Sequence, residues 1–259
     1  MFCIGSLALG TGAGFISAGL GLGGGVIMVP AFVVFAGLDP HTAKGTSLFI
    51  IIFIAVVNAW RHSRGHEDKQ WKLAAWLALG SVVGGYFGGW VTGFMSGKTV
   101  LWIFMALLGL LAARTLMIRP KLMSDKRVRQ RFLPASAIGL ATGVTSGMTG
   151  TGGGAVLVPL ALLARLATNE RIVGLSNMVM VVTSVAATLA HLRAQPVSDM
   201  PWTVGQVNFA LAPLTFAGAQ LGSPAGKRVS DRLTLGGRRI IMGVILILIA
   251  ASLLWRATG

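Results

Sequence analysis

Eight long apolar segments fill most of this sequence, and charged residues are nearly confined to the short stretches between them. An α-helix rises 1.5 Å per residue, so about 20 apolar residues cross a ~30 Å hydrocarbon core. Six segments have that length: 45–61, 73–95, 99–118, 172–192, 203–226 and 239–255. The chain is 54% hydrophobic and only 11% charged, whereas a soluble domain has roughly 25% charged residues. We therefore predict an all-α polytopic membrane protein.

The two remaining segments, 1–38 and 133–167, are too long for one crossing and too short for two. Each has a cluster of glycines near its centre: GLGLGGGVIMVP from Gly19 to Pro30, and MTGTGGGAVLVP from Met148 to Pro159. Glycine permits backbone conformations that other residues avoid. The clusters predict that each of these helices is broken at membrane depth.

The similarity between the two clusters belongs to a longer internal repeat. At a constant offset of 129 residues, matches run without a gap from Gly10 and Gly139 to Arg64 and Arg193. Beyond them, a five-residue insertion pairs Gly84 and Gly88 with Gly218 and Gly222. We predict an N-terminal membrane repeat over 1–118, a basic cytoplasmic linker over 119–132 and a C-terminal membrane repeat over 133–259.

Positive charge predicts how the repeats lie in the membrane. Most of the 22 Lys and Arg fall in three loops, at 61–72, 119–131 and 227–239, which the positive-inside rule assigns to the cytoplasm. The last two loops are separated by a broken segment and two single spans. Both loops can be inside only if the broken segment enters and leaves on one side, as a re-entrant helical hairpin. Each repeat then consists of one hairpin plus three transmembrane helices. Because three is an odd number of crossings, the two repeats lie in opposite orientations in the membrane, with both termini outside, as in many secondary transporters.

The glycine turns have a predicted role in binding. The half-helix that follows each turn exposes free N–H groups and a positive dipole end, which together favour an anion. The candidate substrate-binding glycines are Gly23, Gly24, Gly25, Gly152, Gly153 and Gly154. We expect a β-carbon at Gly24 or Gly153 to disfavour positive φ and to fill ligand space. Because 1–38 and 133–164 contain no Lys or Arg, we expect binding without a cationic side chain.

Polar residues near the starts of the following helices complete the candidate site. These are Thr46, Ser47, Ser176 and Asn177, which are either ligands or helix caps. The glycine clusters themselves have packing as their alternative explanation. His62 and His191 occupy equivalent ends of spans, where an interfacial position is the simpler interpretation.

Several other functions are disfavoured. The net charge of +15 is spread over short loops, so nucleic acid is not an expected partner. Gly19, Gly21 and Gly24 match the spacing of a dinucleotide fingerprint without its strand–helix context. No nucleophile–base grouping or metal-ligand spacing is visible, so we expect no enzyme activity, no cofactor and no metal.

The doubled motif carries a family resemblance. Gly21-x-Gly23-Gly24-Gly25-x-x-x-Val29-Pro30 recurs from Gly150 to Pro159, and Gly45-Thr46-Ser47 follows the first copy. The sequence resembles the TauE/SafE sulfite exporter family over nearly its whole length. In the second repeat the tripeptide region reads Gly174-Leu175-Ser176-Asn177, which departs from the pattern.

The resemblance implies a permease that exports small sulfur-containing anions, such as sulfite or C2 organosulfonates like sulfoacetate, across the bacterial cytoplasmic membrane. Alternating access is the expected mechanism; an anion channel, a permease for another small anion and a membrane scaffold are the alternatives. The seven acidic residues lie in loops or at segment ends, which favours export driven by the membrane potential, with Na⁺ coupling open. The expected partners are the anion and the lipid bilayer, and a homodimer stays an open alternative.

Overall fold

A computed structural model describes residues 2–20, 24–63, 71–117, 131–168, 171–197 and 200–258 of the chain. Within these ranges the protein folds into ten α-helices and one short antiparallel β-hairpin, which confirms the predicted all-helical fold. The elements are α1 (Phe2–Leu20), α2 (Gly25–Val34), α3 (Pro40–Ser63), α4 (Trp71–Thr92), α5 (Gly97–Met117), α6 (Phe132–Thr149), α7 (Gly154–Leu163), α8 (Ile172–Arg193), β1 (Thr203–Val204), β2 (Val207–Asn208), α9 (Ala212–Arg232) and α10 (Leu235–Thr258).

Four described helices are long and apolar enough to cross a membrane. The spans are Pro40–Arg61 in α3, and the whole of α4, α5 and α8. They confirm four of the six predicted single spans. A fifth prediction, 239–255, falls on a shorter apolar stretch, Ile240–Trp255, within α10. The predicted linker over 119–132 lies almost entirely outside the described residues.

The predicted span over 203–226 is wrong at its start. Thr203 and Val204 pair with Asn208 and Val207 in the β-hairpin, and α9 begins only at Ala212. Gly205, with φ of 56°, forms the tip of the hairpin, where the left-handed backbone favours glycine. The hairpin therefore uses apolar residues that hydropathy alone assigned to a helix.

Each overlong segment divides into two helices at its glycine cluster, as the sequence predicts. The first divides between α1 and α2, and the second between α6 and α7. Both α2 and α7 have ten residues, about 15 Å of helix. Neither short helix is long enough to cross the membrane by itself.

Small residues bring α4 and α6 into close contact. A β-carbon built on Gly80, Gly84 or Gly88 would strike the carbonyl oxygens of Ser136, Leu140 and Val144, respectively. The contacting residue numbers rise together along both helices, so α4 and α6 run parallel. A side chain at any of these glycines would force the two helices apart.

The pair α1 and α9 repeats this packing. β-Carbons on Gly218, Gly222 and Gly226 would strike the carbonyl oxygens of Leu7, Thr11 and Phe15. Each glycine contact in one helix pair has an equivalent in the other. The equivalent residues are 129 positions apart between α1 and α6, and 138 positions apart between α4 and α9. The pairing of Gly84 with Gly218 was therefore wrong, since Gly84 is equivalent to Gly222. The longer offset reflects an insertion between α8 and α9, where the β-hairpin lies.

The directions of the remaining helices follow from their contacts. The sites for β-carbons on Gly85 and Gly89 lie against Thr183 and Ala190 of α8, so α8 runs parallel to α4 and therefore to α6. The short helix α7, which connects α6 to α8, thus turns back between two parallel helices. In the other half, Phe49 and Phe53 of α3 stack against Phe209 and Phe216, respectively, so α3 runs parallel to α9 and to α1.

Two of the three apolar clusters among the described residues surround the short helices. In the larger core, Met28 and Phe32 of α2 pack among residues of α5 and α10 that include Phe104 and Leu246. The smaller core joins α4, α7 and α8, with Leu157 at its centre. Each core therefore surrounds one of the short helices and fixes the position of its N-terminal end.

Candidate functional site

The turn between α6 and α7 depends on glycine. Gly150, Gly152 and Gly153 have φ of 77°, 76° and 87°, in the left-handed region that other residues disfavour. Gly150 ends α6 by donating its N–H to the carbonyl oxygen of Ser146 at 2.7 Å. At Gly153 a β-carbon would also lie 2.7 Å from Thr142 Cγ2. The predicted positive φ at Gly153 is thus confirmed, and the predicted loss of ligand space stays a prediction.

The N-terminal end of α7 offers free hydrogen-bond donors. Gly153 precedes the helix, and its carbonyl oxygen accepts from the N–H groups of Val156 and Leu157 at 3.0 and 2.9 Å. Among the described residues, no acceptor contacts the N–H groups of Gly154 and Ala155, the first two residues of the helix. These donors lie at the positive end of the α7 dipole, as an anion site requires.

The two halves of the protein meet at this turn. A β-carbon on Gly25, the first residue of α2, would strike the carbonyl oxygen of Gly150 and lie 2.5 Å from Thr151 Cα. The Ser47 hydroxyl of α3 donates to the same Gly150 oxygen at 2.9 Å. The structure therefore brings Gly25 and Ser47 of the first half to the glycine turn of the second.

Gly152 and Gly154 pack against neighbouring helices. The β-carbon site of Gly152 lies 2.8 Å from Ile51 Cγ2, and that of Gly154 lies 2.8 Å from Met180 Sδ and 3.4 Å from Ser176 Oγ. Ser176 is buried. Ser176 is therefore close to the start of α7, and its contact with a ligand stays a prediction.

Gly24 does not behave like its counterpart Gly153. Its φ of −57° is ordinary helical backbone, and the nearest atom to an added β-carbon would be Met28 Cε at 3.6 Å. The expectation of positive φ at Gly24 is wrong, because the residue already has the conformation of a helical turn. Gly23 lies outside the described residues.

Two of the four polar candidates have structural partners elsewhere. Thr46 Oγ1 accepts the N–H of Asn208 at 2.9 Å, which fixes the β-hairpin to α3. The Asn177 side-chain amide donates to the carbonyl oxygen of Val173 on its own helix at 2.9 Å. The capping explanation is wrong for all four residues, because α3 begins at Pro40 and α8 at Ile172.

Lys44 lies beside the turn and was not among the predicted site residues. It is completely buried on α3, and a β-carbon on Gly150 would lie 2.8 Å from Lys44 Cα. The expectation of binding without a cationic side chain did not consider this lysine of α3 and stays a prediction. Sequence analysis missed Lys44 because it precedes the apolar run by one residue, although its position three residues before Ser47 places both on one helical face.

His191 is buried, which contradicts its predicted interfacial position. Its Nδ1 lies 2.8 Å from Gln206 Oε1, and its Nε2 lies 3.2 Å from the carbonyl oxygen of Gly147. These contacts join α8, the β-hairpin and α6. The side chain of the equivalent His62 lies outside the part that the structure describes.

Comparison with known proteins gives the family. The model for the sulfite exporter TauE/SafE family matches residues 6–253. The chain belongs to this family. It is therefore a multi-pass membrane protein of a transporter family and not an enzyme.

Curated relatives agree with this assignment. A probable membrane transporter protein of Xylella fastidiosa is 28% identical over 97% of this chain and 95% of its own length. The probable membrane transporter protein YunE of Bacillus subtilis is 26% identical over 96% of each chain. MJ0441, a probable membrane transporter protein of Methanocaldococcus jannaschii, is 25% identical over 90% of this chain and 88% of its own length. No solved structure matches the chain.

Proposed function

We propose that this protein is a carrier that exports small sulfur-containing anions, such as sulfite or C2 organosulfonates like sulfoacetate, from the bacterial cytoplasm. The family supports the substrate class. The relatives described above are named only as probable membrane transporters. The proposed carrier lies in the cytoplasmic membrane and works by alternating access.

The meeting of the two halves at the second glycine turn is the observation that carries the proposal. Gly25, the first residue of α2, packs against Gly150 and Thr151, and the Ser47 hydroxyl donates a hydrogen bond to the carbonyl oxygen of Gly150. The proposed binding site consists of Gly25, Ser47, Gly152, Gly153, Gly154 and Ser176. An anion there contacts elements of both halves, so movement of one half against the other changes the access to its site.

The packing supports an inverted-repeat architecture. In the first half, α1 and α3 run parallel with α2 turning back between them, and α6, α7 and α8 repeat this arrangement in the second. The two sets run in opposite directions, as the contacts of α3 and α8 indicate. Gly45, near the start of α3, packs beside Gln206, and Gln206 bonds to His191 near the end of α8. Further along α3, Ile51 lies beside Met180, which is earlier in α8. We propose that both short helices belong to re-entrant hairpins that enter from opposite sides of the membrane.

Energetics are consistent with export. The membrane potential is negative inside and favours outward movement of a monovalent anion by about 2.3 kcal/mol per 100 mV. Of the seven acidic residues, Asp39 alone has a described side chain, and it lies at the start of α3. We therefore propose export driven by the membrane potential without a carboxylate proton relay.

Counterflow in proteoliposomes tests this proposal. Vesicles loaded with unlabelled sulfite should accumulate external radiolabelled sulfite transiently, with saturable dependence on concentration. Chloride in place of internal sulfite is the control. A conductance that does not saturate and shows no exchange would indicate a channel, and the absence of flux for sulfite, sulfoacetate and thiosulfate would refute the proposed substrate class.

A further inference from the structure

Lys44 is a buried lysine whose amine has no hydrogen-bond partner among the described residues. Its side chain has no exposed surface, and its Nζ makes no hydrogen bond within the described residues. Removing an ammonium from water without a counter-ion is very costly. The position beside Gly150, at the turn where the two halves meet, suggests that the missing partner is an external anion.

Asp39 is the one acidic residue whose side chain the structure describes. Asp39 precedes α3, and its Oδ1 accepts the N–H of His41 at 2.8 Å. Among the described residues, no ion pair joins Asp39 to Lys44. Within the part of the chain that the structure describes, Lys44 Nζ is thus available to an external acceptor.

Two buried hydroxyls beside the same turn also have no partner. Thr142 and Ser146 are 1% and 0% exposed, and their Oγ atoms make no hydrogen bond in the part of the chain that the structure describes. The β-carbon site of Gly153 lies 2.7 Å from Thr142 Cγ2 and 3.5 Å from Ser146 Cβ. Unsatisfied hydroxyls in such a place are costly unless a ligand accepts their hydrogen bonds.

Two of these three side chains, Lys44 and Thr142, are not repeated in the other half, whereas Ser146 is equivalent to Ser17. At the offset of 129 residues, Lys44 is equivalent to Val173, which is 44% exposed, and Thr142 is equivalent to Ala13. Among the described residues, the second glycine turn combines a left-handed glycine backbone with the buried Lys44 and the unpaired hydroxyls of Thr142 and Ser146. Two copies of one repeat would be expected to have the same side chains at these positions, so the difference between the halves calls for a separate explanation.

From this asymmetry we infer that one oxyanion binds at the second glycine turn, with its charge neutralised by Lys44. Thr142 and Ser146 donate to its oxygens beside the N–H groups of Gly154 and Ala155. The inference rests on the proposed transport function and adds to it a single site that selects ligands by negative charge. Neutral molecules of the same shape are excluded because they leave the Lys44 ammonium unpaired.

Substitution of Lys44 separates a binding role from a structural one. Lys44→Met keeps the length of the side chain and removes the charge, so the ligand-free protein should melt at the same or a higher temperature. Its Kd for sulfite, measured by calorimetry on purified protein in detergent, should rise at least about 10-fold. Lys44→Arg, which keeps the charge, should bind more tightly than Lys44→Met. A large loss of melting temperature in Lys44→Met without ligand would indicate a structural lysine and overturn the inference.

Thr142→Val tests the hydroxyls, and Thr215→Val is its matched control. Thr215 is also fully buried with an unpaired Oγ1, but it packs against Gly10 in the α1–α9 pair. Thr142→Val should weaken sulfite binding several-fold, and Thr215→Val should leave it unchanged. Equal effects of the two substitutions would overturn the inference.

Transport by the same variants distinguishes the two proposals. If the unmodified protein exports sulfite and Lys44→Met binds it with unchanged Kd, the Lys44 site is refuted while the proposed function stands. If the unmodified protein instead binds phosphate or nitrate, and Lys44→Met does not, the site is supported and the sulfur substrate is refuted. No binding of any of these anions to the unmodified protein would refute both.

Discussion

Ser47 Oγ donates a hydrogen bond of 2.9 Å to the carbonyl oxygen of Gly150 and so joins α3 to the turn between α6 and α7. The two residues are 103 positions apart in the sequence and belong to different repeats. The N–H of the same Gly150 donates to the carbonyl oxygen of Ser146, so both backbone polar groups of Gly150 have partners. The Ser47 bond therefore connects the first half of the protein to the glycine turn of the second.

Gly153→Ala should destabilise the protein more than Gly24→Ala. A β-carbon at Gly153 meets both a φ of 87° and Thr142 Cγ2 at 2.7 Å, a combination expected to cost about 1–3 kcal/mol. Gly24 has right-handed backbone, and the nearest atom to its β-carbon site is Met28 Cε at 3.6 Å, an ordinary van der Waals distance, so alanine there should be close to neutral. Thermal unfolding in detergent measures both variants, and equal melting temperatures would contradict the described turn.

Gly84→Ala should weaken the contact between α4 and α6. Its β-carbon would collide with the carbonyl oxygen of Leu140, and overpacking of this kind typically costs about 1–3 kcal/mol. Gly109 on α5 has nothing within 4 Å of its β-carbon site, so Gly109→Ala is the control and should be neutral or slightly stabilising. If Gly84→Ala were as stable as Gly109→Ala, the parallel packing of α4 and α6 would be refuted.

Much of this fold was accessible from the sequence, because hydropathy and glycine periodicity report burial and helix breaks directly. The two broken segments and four spans were predicted this way. The β-hairpin was not, since Val204 and Val207 look like part of a span until Gly205 turns the chain. Lys44 and His191 were misjudged for a related reason: their sequence positions suggest segment ends, and only the packing of helices from both repeats shows that they are buried.

Thr46→Val and Ser176→Ala should have different effects. Thr46→Val leaves the N–H of Asn208 without its acceptor, which should lower the free energy of unfolding by about 1–3 kcal/mol. Ser176→Ala removes a hydroxyl near the start of α7 and should weaken anion binding by roughly 1.5–3 kcal/mol if that hydroxyl contacts the ligand. Unfolding and calorimetry on both variants check the assignment, which a reversed pattern would contradict.

Labelling of single cysteines should give the membrane orientation that the positive loops predict. In a Cys3→Ser background, cysteines at Gly97 and Ser198 should react with an impermeant reagent outside the cell, and those at Ser124 and Ser230 should not. Labelling of both Ser124 and Ser230 positions from outside would invert the orientation. Opposite behaviour of these two positions would mean that the second broken segment crosses the membrane.

The most direct test of the binding site is an electron cryomicroscopy map of the protein in a lipid nanodisc with sulfite present, compared with a map in chloride alone. We expect density for one anion within hydrogen-bond distance of the Gly154 and Ala155 N–H groups, with Lys44 Nζ directed towards it. Density for the anion remote from the α6–α7 turn, or an empty turn at saturating sulfite, would contradict the account.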